Sequence, residues 1–142
     1  MSFREKIAWI SVVTTAIVWG TFFALLLSAV ANGHQPGHSY LAGFFGAVVI
    51  QVILIVVASI VTAATAPKDA SAGIDERDRA IAQGSSAIAY PVLLSGVVIV
   101  AACLHLGLTA VGMTYGIMGA IVIAEIVHYG AQIVFYRRAR HG

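Results

Sequence analysis

The chain has 142 residues, of which 60% are hydrophobic and 10% charged, with a mean hydropathy of +0.94. Soluble domains carry about a quarter of their residues as charges, so this composition excludes a water-soluble globule: a fold this short could not cover so much apolar surface, whereas a bilayer can. The single cysteine, Cys103, excludes an intramolecular disulfide framework or a cysteine metal cluster within one chain, and with a formal charge of only +2 no nucleic-acid partner is expected.

Four apolar stretches reach the ~20 residues needed to cross a ~30 Å hydrocarbon core. They cover about 7–31, 40–66, 87–110 and 115–136, and define a single transmembrane domain over residues 1–142. The first follows Arg4 and Lys6 and ends near Ala29-Val30-Ala31, which imitates a signal peptide with its cleavage site. The run is longer than the ~7–15 apolar residues of a signal sequence, so it is expected to stay as an anchor. Asn32-Gly33-His34-Gln35-Pro36-Gly37-His38-Ser39 then reads as a tight polar turn. His34 and His38 are spaced i,i+4, but Pro36 and Gly37 between them deny a helical face, so they read as solvated loop residues rather than metal ligands.

The second stretch carries Gln51 and the small-residue pairs Gly43 with Gly46 and Ala58 with Thr62. A polar segment, 67–86, separates it from the third stretch, in which Ser95-Gly96 and Cys103 read as packing residues. Val111-Gly112-Met113-Thr114 is the expected second tight connection, and the fourth stretch follows it. All eight basic residues fall on one side of this arrangement: Arg4 and Lys6, then Lys68, Arg77 and Arg79, then Arg137, Arg138 and Arg140. The lysine and arginine bias of short loops sets orientation, so the prediction is an all-α, multi-pass protein of the cell (inner) membrane. Its four spans form two hairpins, with both termini and the 67–86 segment in the cytoplasm. Trp9, Tyr40, Tyr90, Tyr115 and Tyr136 fall near predicted span ends, as an interfacial aromatic belt would place them.

Within the central segment, Asp75, Glu76, Arg77, Asp78 and Arg79 open a short cytoplasmic helix running to Gln83. Three acids suit the positive end of a helix dipole, and Asp75 precedes Arg79 by four residues, the favourable order for an ion pair. Ile74, Ile81 and Ile88 recur every seven residues as a narrow apolar seam for the membrane surface or a partner helix; the plainer reading is a solvated linker ending in a helix that feeds the third stretch through Tyr90-Pro91. The string Asp75-Glu76-Arg77-Asp78-x-x-Ile81, after two apolar spans and just ahead of a third, resembles a motif of small prokaryotic membrane proteins of the domain-of-unknown-function kind. The resemblance covers the loop and the order of spans, about a third of the chain; it implies a four-span protein and transfers no catalytic residue.

The fourth stretch concentrates the polar chemistry. Glu125 is the acid expected near mid-bilayer, where a charge costs at least ~2.5–3.5 kcal/mol on insertion scales. It should therefore be protonated, paired or turned inward. His128 and Gln132 follow at i+3 and i+7 with Tyr129 adjacent, and Gln51 of the second stretch lies at comparable depth as the expected cross-helix partner. Gly112, Gly116, Ala120 and Ala124 repeat every four residues, the spacing that lets two helix backbones approach closely.

No cofactor or metal is expected. Glu125-x-x-His128 matches one element of a di-iron bundle, which needs a second copy and two more carboxylates. His105 and His128 lie roughly 12 Å apart in depth by ~1.5 Å per residue, too far for one haem. Three functions fit: a non-enzymatic accessory or scaffold subunit held among other membrane proteins or copies of itself; a small proton-coupled transporter working as a dimer around Glu125 and His128; or a membrane sensor signalling through the 75–83 helix. The second is architecturally like small multidrug transporters, whose membrane glutamate lies on the first helix rather than the fourth. An enzyme is not expected, since no nucleophile–base pair or phosphate-binding loop is present.

Overall fold

The computed structural model describes residues 3–34, 37–65, 67, 73 and 75–141. Among these, four helices are long and apolar enough to cross a membrane. We name them α1 (Phe3–Ala31), α2 (His38–Thr65), α3 (Glu76–Cys103) and α4 (Ala110–His141). Gln35, Pro36, Lys68 and Ile74 lie outside the described residues, as do the side chains of His38 and Arg140.

α1 is central and packs on both α2 and α4, and α4 in turn carries α3. Its buried residues explain this placement. Glu5, Ala8, Ser11, Thr15, Trp19, Phe22 and Leu26 recur at intervals of three and four, which draws one continuous seam along a helix. Small and polar residues fill the first half of that seam and large ones the second. Around the second half, Trp19, Phe22, Leu26, Ala47, Tyr115 and Val122 form the apolar core. Trp19 and Phe22 meet edge-on at 5.9 Å, and Phe44 of α2 closes on Trp19 at 5.2 Å. Such aromatic pairs carry attraction beyond their area, which matters where lipid offers no hydrophobic drive to associate.

α3 differs from its expected course at both ends. It begins at Glu76, well ahead of the expected span start at 87, so the acidic helix feeds the third span without interruption. Asp75 is its N-cap: the carboxylate accepts from the Asp78 backbone N–H at 2.6 Å, and this cap, rather than an ion pair with Arg79, is its contact. The isoleucine seam divides, with Ile81 buried and Ile88 exposed. Tyr90, expected at an interface, sits at the midpoint of the helix. The helix runs through Pro91 and ends at Cys103, continuing as a 3-10 turn over Leu104–Leu106.

The last connection is therefore earlier than its hydropathy suggested. Gly107 takes the left-handed conformation at φ 95° that a side chain disfavours, and Thr109 Oγ1 accepts from the Gly112 N–H at 3.1 Å. α4 thus starts at Ala110, and 111–114, read from sequence as the turn, are helical.

Candidate functional site

α3 and α4 approach most closely along the small-residue ladder. A Cβ on Gly96 would lie 2.7 Å from Ala120 Cβ, one on Gly116 would lie 2.8 Å from Val100 Cγ1, and one on Gly84 would lie 3.0 Å from the Phe135 ring. Gly116, Ala120 and the buried Ala124 therefore face α3 of the same chain. Gly112 lies at the start of α4, where its nearest neighbours are Leu108 and Thr109. The three approaches also fix a register: positions rise along α3 as they fall along α4.

Glu125 follows Ala124 by one residue, so it points about 100° away from the ladder. It is exposed, on the outer side of the α3–α4 pair, where an open groove of about 330 Å³ is lined by Ser86, Ala89, Tyr90, Leu93, Ala124, Glu125, His128 and Tyr129. Of the three expectations for it, protonated, paired or turned inward, the last is not the one adopted. The acid sits at the midpoint of α4, fifteen residues from Ala110, because the helix begins earlier than 115. Small side chains on α3, Ser86 and Ala89, are what leave the groove open.

His128 and Gln132 lie side by side, with Gln132 Nε2 2.9 Å from His128 Nε2. His128 also meets the Tyr129 ring edge-on at 5.2 Å. Gln132 in turn lines a second cleft, of about 190 Å³, with Phe3, Arg4, Ile7, Asp78, Ala82 and Tyr136. There Asp78 joins three helices: it pairs with Arg4 Nε at 2.8 Å and accepts from the Tyr136 hydroxyl at 2.9 Å. Arg137 adds a cation–π contact, 5.2 Å above the Trp9 ring. A polar strip thus follows α4 from its charged end at Tyr136, through Gln132 and His128, to Glu125.

Gln51 does not meet Glu125. Its Nε2 donates to Thr15 Oγ1 at 3.0 Å and to Thr14 Oγ1 at 3.2 Å, across the α1–α2 interface. Its Oε1 is buried without a hydrogen-bond partner. Thr15 is one turn from the fully buried Ser11, which stands beside Tyr129 of α4. The link from Gln51 to the glutamate's helix therefore runs through α1, because α1 lies between α2 and α4. Ser11, Thr14 and Thr15 were not singled out from sequence; hydroxyls at i and i+4 on the aromatic seam of the first span were the available signal.

Of the acidic–basic motif at 75–79, Asp75 and Asp78 make the cap and the three-helix junction, while Glu76, Arg77 and Arg79 are exposed. Among the described residues no three histidine, cysteine, aspartate or glutamate side chains come together as a metal site. No family model, curated protein or solved structure matches this chain.

Proposed function

We propose that this protein is a non-enzymatic subunit of a larger assembly in the cell membrane, with both termini cytoplasmic, and that the α3–α4 face receives another membrane segment. The observation that supports it is the exposed Glu125 in an open groove at the midpoint of a membrane-spanning helix. An intramembrane carboxyl facing lipid is costly, and such groups ordinarily face a bundle interior or a water-filled cavity. A covering helix supplies that interior. α3 packs chiefly on α4, leaving the rest of its apolar surface available. Gentle extraction from the native membrane, followed by native-gel or mass measurement, should find the chain in a complex; a lone monomer would refute the reading.

A second reading, a proton-coupled transporter around Glu125 and His128, draws support from the strip that joins the groove to the Arg4–Asp78 cleft. Glu125→Gln should then abolish uptake or resistance conferred by the protein, and unchanged transport would count decisively against it.

A further inference from the structure

Besides Glu125, the groove holds four side chains with polar atoms, and three of them are engaged within the chain. Ser86 Oγ donates to the Ala82 carbonyl at 3.0 Å, His128 contacts Gln132, and Tyr129 stands beside Ser11. The Tyr90 hydroxyl and the Glu125 carboxyl remain, with no hydrogen bond to either among the described residues. Tyr90 is 62% exposed and stands at the midpoint of α3, fourteen residues from Glu76. A single chain therefore presents an unused donor and an unused acceptor on one outward face, both at mid-helix.

Their relative depth follows from the α3–α4 register. With Gly96 against Ala120 and Gly84 against Phe135, Tyr90 is level with the turn of α4 that follows Glu125, within about one helical pitch of ~5 Å. The one-sided distribution of lysine and arginine inserts every copy in the same orientation. Two identical copies inserted alike are related by a two-fold axis along the membrane normal, and such an axis preserves depth. A donor can then serve the acceptor of the other copy only where both lie at nearly the same depth in the same patch, which Tyr90 and Glu125 satisfy.

Resting on the reading that this face is covered, we propose that its occupant is a second copy of the chain. The groove is the interface of a symmetric dimer in which the Tyr90 hydroxyl of each copy bonds the Glu125 carboxyl of the other. Ser86, Ala89 and Ala124 line the groove and let the two surfaces approach, as small residues do in membrane interfaces.

The test uses the full chain in a Cys103→Ser background. Ser86→Cys, inside the groove, should give a cross-linked homodimer in native membranes, and Val57→Cys, exposed on α2, should not. In liposomes, Tyr90→Phe and Glu125→Met should each weaken dimerisation about ten- to two-hundredfold, the span expected of the two symmetry-related interhelical hydrogen bonds that either substitution removes. The double variant should be no weaker than the worse single one. If the two substitutions couple in the stability of the monomer while dimerisation is unchanged, the bond lies within one chain and the proposal is overturned. If Ser86→Cys cross-links only to a different polypeptide, the second copy is overturned while the assembly reading survives. If it cross-links to nothing and the protein is monomeric throughout, both fall.

Discussion

Gly96 shows how much one missing side chain decides. A methyl group placed there would stand 2.7 Å from Ala120 Cβ, closer than carbon atoms tolerate, so the two helices would have to separate along the ladder that joins them. Gly96→Ala should cost about 1–3 kcal/mol, the usual penalty for overfilling a packed interface. Gly20 is the control, with nothing within 4 Å of its hypothetical methyl, and Gly20→Ala should be neutral or stabilise by up to about 1 kcal/mol. Reversible unfolding in mixed micelles would measure both, and equal effects would show that helix propensity rather than close approach governs these positions. The ladder itself was legible as a four-residue repeat. The direction of Glu125 was not, because a repeat names a packed face without naming the helix that covers it. Once α3 covers Ala120 and Ala124, the residue after Ala124 must point elsewhere.

Helix ends were the least legible elements, and the third connection shows why. From Val97 to Val111 the sequence is almost wholly apolar, so hydropathy continues through the turn and suggests a span ending near 110. The turn is set instead by backbone chemistry at two positions, Gly107 with its positive φ and Thr109 with its hydroxyl on the Gly112 N–H. Gly107→Ala should therefore cost about 1–2 kcal/mol, the penalty for a side chain in the left-handed region. Thr109→Val, which keeps shape and removes the acceptor, should cost about 1 kcal/mol and speed hydrogen exchange at the Gly112 amide. An unchanged Gly112 amide in that variant would show that the cap does not hold the start of α4. At the other end of α3 the acidic string was correctly seen as a helix start. Its continuation through Tyr90 and Pro91 was legible as a helix feeding the third span, although polar residues and an interior proline both suggest a break.

For the whole molecule, the decisive contacts gather at one end. Asp78 binds Arg4 of α1 and Tyr136 of α4, so the beginning of α1, the beginning of α3 and the end of α4 share a level. Asp78→Ala leaves a guanidinium and a phenol without their acceptor in a half-buried cleft. It should destabilise the chain by about 1–3 kcal/mol, read as a lowered unfolding midpoint in detergent, with no such loss for the exposed Glu76→Ala.

The same junction turns orientation into a single question. Arg4, Lys6, Arg77, Arg79, Arg137 and Arg138 all belong to the three helix ends that it ties together, and His34, beyond the far end of α1, is at the opposite level. Fixing the side of any one of these ends fixes the others. Lysine and arginine are retained on the cytoplasmic side of short segments, so we predict the junction inside and His34 outside. In a Cys103→Ser background, a membrane-impermeant maleimide added to intact cells should label His34→Cys and leave Arg79→Cys untouched, and inverted vesicles should reverse the pattern. Labelling of Arg79→Cys from outside would invert the topology. Labelling of both positions from both sides would mean copies inserted in two orientations, which would also remove the depth-preserving axis on which pairing of Tyr90 with Glu125 depends.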